Sequence, residues 1–491
     1  MLNLITDRWI PVRRHDGSRV AIAPHEMADP ALAFPDWPRP DLNIACLELL
    51  AGLVFMADPP RDAEDWEARQ SPDSGRLRER LAPYAPAFGL LGDGPRFLQD
   101  REAFETGVRD PNPVEMLLID SAGGQTLRNN ADLMVKRSRY PTLTPPLAAM
   151  ALYTLQAHAP SGGKGNRTSM RGGGPMVTLV DPGGGLWPLV WANVPDGAPA
   201  PIEALPWMRA TRTSENGQTV IPEDAHPVEA FFGQPRRLRL VAGDGAVAGV
   251  VQKPYGTNYA QWLHPLTPHY RLKEGSELLP RHPRAGAFGY RNWLGIVLQR
   301  PSSADDTARR APVLDLWSER PGPAAEVIVA GWAMDNMKPR DFIFSRAPLL
   351  NLDDAQAERV EGMVRAADAL AVALRGALAP VLAEGEGREA AREGFFLATQ
   401  PLFEAALTRL DRDAEAEAKG WLSDLRRVAT AQFDALALPG LSERDTREQE
   451  AIVTARRYLG AAFAGHGKQG RDAFTALGLT PPVPKRKEKA A

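Results

Sequence analysis

From Asp353 onward, apolar residues recur at helical spacing through segments dominated by alanine, leucine, glutamate and arginine. Four such segments stand at about 353–384, 387–411, 414–437 and 443–464. The breaks between them are short, at Gly385–Gly387, Asp411–Asp413 and Pro439-Gly440. Short breaks make consecutive helices antiparallel neighbours, so the pattern specifies a four-helix bundle over 346–480. The first 345 residues carry a different pattern. Short strand-like and helix-like runs are cut into turns by proline and glycine, which number 45 and 43 in the whole chain. The expected fold class is therefore α+β. A large, irregular mixed α/β domain at 1–345 precedes the all-α bundle, and a basic tail, PPVPKRKEKAA at 481–491, is expected to be disordered.

Within the first domain, residues 1–24 read as a β-hairpin. Two apolar runs flank Asp16-Gly17, a dipeptide suited to positive φ. Residues 41–57 read as a buried helix capped by Asp41 and stopped by Pro59 and Pro60. A more polar helical stretch spans 62–82, and Thr144–His158 reads as a helix with Pro145 and Pro146 in its first turn. Strands are expected at Met176–Val180, Leu186–Val194, Arg236–Val241 and Val247–Gln252. Residues 287–296 and 327–338 read as strand-to-turn passages.

Lysine and arginine number 58 against 61 aspartates and glutamates, for a net charge of −3. That excludes a histone-like binder with a wholly basic surface, but local basic loops on a neutral body still suffice for nucleic acid. The single cysteine, Cys46, excludes a disulfide framework and a cysteine-based zinc site, and reads as a buried thiol in a reducing compartment. The eight histidines contain no HExxH, and prolines separate His264 from His269, so no metal or other cofactor is expected. No apolar run approaches 18 residues, and MLNLITDRW lacks the basic start and apolar core of a signal peptide. The cytoplasm, with no membrane partner, is the expected location.

The chemistry concentrates in loops. Ser161–Gly174, SGGKGNRTSMRGGG, has six glycines among fourteen residues, with Lys164, Arg167 and Arg171 between them. Glycine lets a backbone lie flat against another surface, and the basic side chains make that surface a polyanion. Nucleotides fail on spacing. A P-loop needs a glycine five positions before Gly-Lys and a Ser or Thr after it. Here those places hold His158 and Gly165. A dinucleotide site needs a preceding strand, whereas a helix precedes this loop. Gly172–Gly174 are expected only to turn the chain into the next strand. With no GxSxG motif either, no catalytic residue is expected and the chain does not read as an enzyme. Residues 120–141 carry Arg128, Asn129, Asn130, Lys136, Arg137 and Arg139, and composition leaves them open as a solvated loop or a functional one. KPYGTNYAQWLHPLTP, at 253–268, sets Lys253 beside Tyr255, Tyr259 and Trp262. Such segments can hold a phosphate backbone and touch base edges, and a flat glycine backbone suits the minor groove.

Five stretches in one order resemble the CasA family, the large subunits of type I-E CRISPR Cascade complexes. They are LNLITDRWIPV at the start, SGGKGNRTSMRGGGPMVTLV, FFGQPRRLRL at 231–240, KPYGTNYAQWLHPLTP and GWAMDNMK. The resemblance implies a non-catalytic subunit of an RNA-guided surveillance complex. It recognises the protospacer-adjacent motif in double-stranded DNA, starts strand separation, and recruits a helicase–nuclease, leaving the remaining sequence to guide pairing. Implied partners are guide RNA, target duplex, the other Cascade subunits and that helicase–nuclease. By position it implies DNA contact through Gly163, Lys164 and Gly165, with Arg167 beside them, and through a lysine finger at Lys253. A wedge falls on Met334, Asp335, Asn336, Met337 and Lys338. Asn336 aligns with the glutamine of some members, and Met337 offers an apolar alternative. Arg128, Asn129, Asn130, Lys136, Arg137 and Arg139 align with the segment that reaches the guide RNA and the backbone-forming subunits. A cysteine cluster that some members carry before the lysine finger is missing. The competing reading, favoured by the near-neutral charge and the bundle, is a purely structural or interaction subunit of a ribonucleoprotein with no direct DNA contact.

Overall fold

Pro40–Ala57 contains two charged residues in eighteen, Asp41 and Glu48, and forms helix α1. A helix apolar on every side has to be enclosed. Its length and mean hydropathy of 1.5 would suit a membrane span, but 89% of it is buried inside the protein. Proline opens it where a missing N–H costs nothing. Arg39 is the N-cap, so Asp41, expected in that role, lies inside the helix. Its carboxylate instead accepts from Arg39 and from Trp332 Nε1. Cys46 is fully buried here, and burial pushes its thiol up to about 12.

The computed structural model describes residues 2–102, 111–121, 123–130, 132, 136–163, 165–299 and 307–483. It divides into one unit of Met1–Gly286 with Asp306–Leu350 and another of Ala287–Asp305 with Asn351–Ala491. In the first unit α1 packs against α2, Pro145–His158. Among the described residues, strands pair into four three-stranded antiparallel sheets. The expected N-terminal hairpin forms from Ile10–Arg14 (β1) and Arg19–Ile22 (β2), with Leu32–Pro35 (β3) on the other edge of β1. Val177–Asp181 (β4) flanks a long hairpin described below. Arg237–Ala242 (β5) and Val247–Lys253 (β6) pair across the Asp244-Gly245 turn. The long hairpin is Ala325–Asp335 (β7) with Lys338–Leu349 (β8), and β4 lies on the other side of β7.

One expected strand is a helix. Leu186–Ala192 forms α3. LWPLVWA is apolar throughout, so it has no alternation to read. Helical spacing instead stacks Trp187 on Trp191 at 5.3 Å, and their indole nitrogens donate to the carbonyls of Gln70 and Trp66. The 62–82 stretch is two short helices, Ala63–Ala68 and Ser74–Leu81, each begun by an aspartate cap, Asp62 and Asp73.

In the second unit, Asp354–Ala377 (α4), Glu386–Leu407 (α5), Ala414–Ala437 (α6) and Thr446–Phe463 (α7) fall in the four periodic segments. Asp353, Asp413 and Asp445 cap three of them. A fifth helix, α8 at Gly467–Ala476, packs on α4. Its ten residues, two of them glycine, are too short and mixed for the pattern to announce. Residues 287–296 do not form the expected strand-to-turn passage. They hold a one-turn helix, Tyr290–Asn292. The Tyr290 ring stacks on Phe403 at 4.4 Å and its hydroxyl meets Thr399 Oγ1 at 2.8 Å, deep in the bundle. Of the basic tail, residues 484–491 lie outside the described residues.

Candidate nucleic-acid interface

The glycine-rich loop leaves the end of α2 at His158 and closes on itself. Gly174 N–H donates to the His158 carbonyl at 3.1 Å, and Ser169 N–H to the Ala159 carbonyl at 2.9 Å. One side chain of α1 holds both ends. Glu48, 1% exposed, meets His158 Nε2 with one carboxylate oxygen at 2.7 Å and Arg171 with the other at 2.7 Å. Burial opposes ionisation of Glu48, but Arg171 and His158 overcome it and hold the carboxyl below its usual range. Arg171 also reaches Thr267 Oγ1 and the Ala157 carbonyl. It is 3% exposed and works inside the core, although its sequence position suggests a surface cation.

Between these anchors, Ser161–Gly163 is exposed. Gly163 has φ 90°, and nothing lies within 4 Å of where its Cβ would stand. Gly165 has φ 76°, and a Cβ there would meet Pro254 Cβ at 2.7 Å. Its carbonyl accepts the Tyr255 N–H at 2.6 Å. Lys253, at the end of β6 and opposite Arg237, thus stands directly before the pair that grips the loop. Lys164 lies outside the described residues. Arg167 donates to the Ser214 hydroxyl at 2.8 Å and the Ser214 carbonyl at 3.2 Å. Arg236 donates to the carbonyls of Arg167 and Pro160. Neither guanidinium has a carboxylate partner among the described residues.

The long hairpin reaches the same place. Asn336 and Met337 form its two-residue turn, with φ 48° and 61°. Two positive φ values suit the right-handed twist of a hairpin. Asn accepts them, but methionine does so under strain. Asp335 ties the tip internally, accepting from Asn336 Nδ2 at 3.0 Å and from Arg340 at 2.9 Å. Met337 is 46% exposed, yet its Sδ lies 2.9 Å from where a Cβ on Gly173 would be. Met334 Cε lies 2.7 Å from the corresponding point on Gly174. Gly173 and Gly174 therefore do more than turn the chain, because they leave room for the hairpin. Lys338 opens β8 directly after the turn.

Residues 120–141 are less available than their composition suggests. Arg137 pairs with Asp132 at 2.6 Å and also reaches Asn130 and the Leu127 carbonyl. Arg139 pairs with Asp120, which also takes Arg39. Both cations are neutralised within the chain. Lys136 and Asn130 are exposed, and Arg128 ends a short helix, Gly124–Arg128. Sequence reasoning missed Glu48, and it read Asp41 as a helix cap rather than as the acceptor for Arg39 and Trp332. The signal for the two acids was their seven-residue spacing on an otherwise apolar helix, which puts them on one face two turns apart.

Buried histidines surround the Arg171 root. Burial and the Arg171 charge hold His264 well below the usual range, burial takes His269 down to about 4, and burial lowers His282. These groups are neutral when folded and titrate near 6.5 when unfolded, so their stabilisation is complete above about pH 6.5. It is lost as pH falls, and for His269 the loss runs from about pH 6.5 to about pH 4 and amounts to about 3 kcal/mol. Urea midpoints of the first unit should fall steadily from pH 7 to pH 5. A flat profile would contradict this.

The fold defines a class first, a large mixed α/β unit with an all-helical one, as the sequence pattern led us to expect. The family model of the CRISPR-associated protein Cse1 matches residues 3–432, and the chain belongs to that family, as its five motifs imply. Solved structures with the same fold include Thermus thermophilus CasA (Cse1), 21% identical over 94% of this chain and 99% of that one, with a TM-score of 0.72. Thermobifida fusca Cse1 is 19% identical over 97% and 98%, with a TM-score of 0.73. A chain of a CRISPR RNA-guided surveillance complex is 18% identical over 94% and 99%, with a TM-score of 0.69. Among the described residues, no group of three or more His, Cys, Asp or Glu is placed to hold a metal ion.

Proposed function

We propose that this chain is the large, non-catalytic subunit of a cytoplasmic CRISPR Cascade complex, and that its first unit reads the protospacer-adjacent motif in double-stranded DNA. One observation carries the reading. Three segments far apart in sequence, 161–174, 253–255 and 334–338, are interlocked by direct contacts beside two guanidinium groups that have no carboxylate partner among the described residues.

Each part takes the task that the family resemblance implies for it, and its geometry is compatible with that task. The open backbone at Gly163 lies against a minor groove that side chains read poorly. Lys253 adds charge beside it, Lys164 adds another next to Gly163 in sequence, and Arg167 and Arg236 set a local positive field on a chain of net charge −3. The Asn336-Met337 tip, with Met334 behind it, enters the stack beside the motif and unstacks it. Asp335 keeps the tip in shape, and Lys338 meets the backbone. Guide RNA then pairs with the freed strand, and the opened complex recruits the helicase–nuclease. Arg128, Asn129, Asn130 and Lys136 face the guide RNA and neighbouring subunits, while Arg137 and Arg139 hold that segment in shape.

In a complex assembled with guide RNA, Lys253→Ala and Gly165→Asp should each weaken binding of motif-bearing duplex about tenfold or more. Single-stranded target, which needs no opening, should bind nearly as before. Equal losses on both DNA forms would overturn the motif-reading role and favour a structural subunit.

A further inference from the structure

We propose that Arg236 is a phosphate-binding residue, its Nη1 reaching a DNA backbone phosphate through the gap left by Gly162. The inference rests on the DNA-reading role above and assigns it a contact.

Two adjacent arginines are buried in opposite ways. Arg237 meets Asp100 and Glu102, the usual condition for a guanidinium out of water. Arg236 is 6% exposed, and among the described residues its guanidinium meets only carbonyls. Its Nε donates to Arg167 at 2.6 Å and its Nη2 to Pro160, while its own backbone N–H donates to Gln156 Oε1 at 3.0 Å. Nη1 has no acceptor among the described residues. Burial lowers the Arg236 pKa to about 10, so the group keeps its charge at neutral pH. A buried charge left uncompensated is costly, and it becomes favourable when an anion arrives.

Gly162 shows where that anion enters. A Cβ at Gly162 would press on both terminal nitrogens of Arg236, standing 2.8 Å from Nη2, and would stand 2.9 Å from Asn166 Cβ. No positive φ requires glycine here, so the constraint is close approach, to the guanidinium on one side and to Asn166 on the other. Ser161, Gly162 and Gly163 are all exposed, which puts this edge of Arg236 under the stretch assigned to the duplex. A guanidinium held by two carbonyls and open on one edge is preorganised for a charge-assisted bond to a phosphate oxygen.

The test measures how the affinity of the guide-loaded complex for duplex DNA depends on salt. Arg236→Gln should reduce the slope of log affinity against log salt by about 0.9, the value of one lost phosphate contact. It should weaken motif-bearing and motif-free duplexes by the same factor. Gly162→Ala should give the same two changes, because its Cβ covers the Nη1 edge while the guanidinium keeps its charge. If Arg236→Gln does not fold, as thermal unfolding will show, Gly162→Ala decides alone. Unchanged slopes in folded variants would overturn the proposal, as would a loss confined to motif-bearing DNA. A wild-type complex with no salt dependence on duplex would instead overturn the underlying DNA-reading role.

Discussion

Glu48→Ala is expected to lower the unfolding free energy of the first unit by about 3–5 kcal/mol, the usual cost of leaving a buried charge without its partner. Glu48 is enclosed in α1, and removing it strands Arg171 beside His158 in the core. The effect is local as well as global, because those residues are the two ends of the glycine loop. Hydrogen exchange of the amides at 159–174 should rise more than that of α1 itself. Glu48→Gln keeps the shape without the charge and should fall between alanine and wild type. A loss below about 1 kcal/mol for the alanine variant would show that the clamp does not hold the loop.

Met337→Gly separates stability from function. Methionine at φ 61° is strained by about 1–2 kcal/mol, and glycine relieves that strain. The variant gives up the contact of a half-exposed side chain, worth about 1 kcal/mol. The two nearly offset, so the unfolding midpoint should hardly move. DNA opening should slow about tenfold or more, because forcing apart a base step costs a few kcal/mol and the apolar wedge supplies part of it. Permanganate reactivity of the displaced strand over time reads this directly. Unchanged opening kinetics would remove Met337 from the wedge. Backbone strain kept at an exposed hairpin tip is typical of positions under functional constraint.

The two-part architecture was legible because helical periodicity after residue 350 is strong and the caps Asp353, Asp413 and Asp445 follow the rules. α1 was legible because eighteen residues with two charges leave no other choice. Leu186–Ala192 was not, since an apolar run buried on all sides carries no period, and indole stacking decided for helix. Tyr290 was not, because its partners Phe403 and Thr399 lie more than a hundred residues away. Composition singled out the glycine loop and the Lys253 segment, the hairpin tip came from resemblance alone, and nothing local says that Gly165 meets Pro254 or that Gly173 meets Met337. Charge was the weakest guide. Arg137, Arg139 and Arg171 look alike in sequence to Arg167 and Arg236, yet the first three have acidic partners and the last two have none among the described residues.

The proposed role is to read a few base pairs of intact duplex beside the guide-paired stretch. The direct measurement compares guide-loaded complexes on targets that differ only in those flanking pairs, each presented as closed duplex and with the guide-paired stretch already melted. Changing the flanking pairs is expected to weaken closed-duplex binding about tenfold or more and to have much less effect on the pre-melted target. Equal binding to every closed duplex, whatever its flank, would contradict the account.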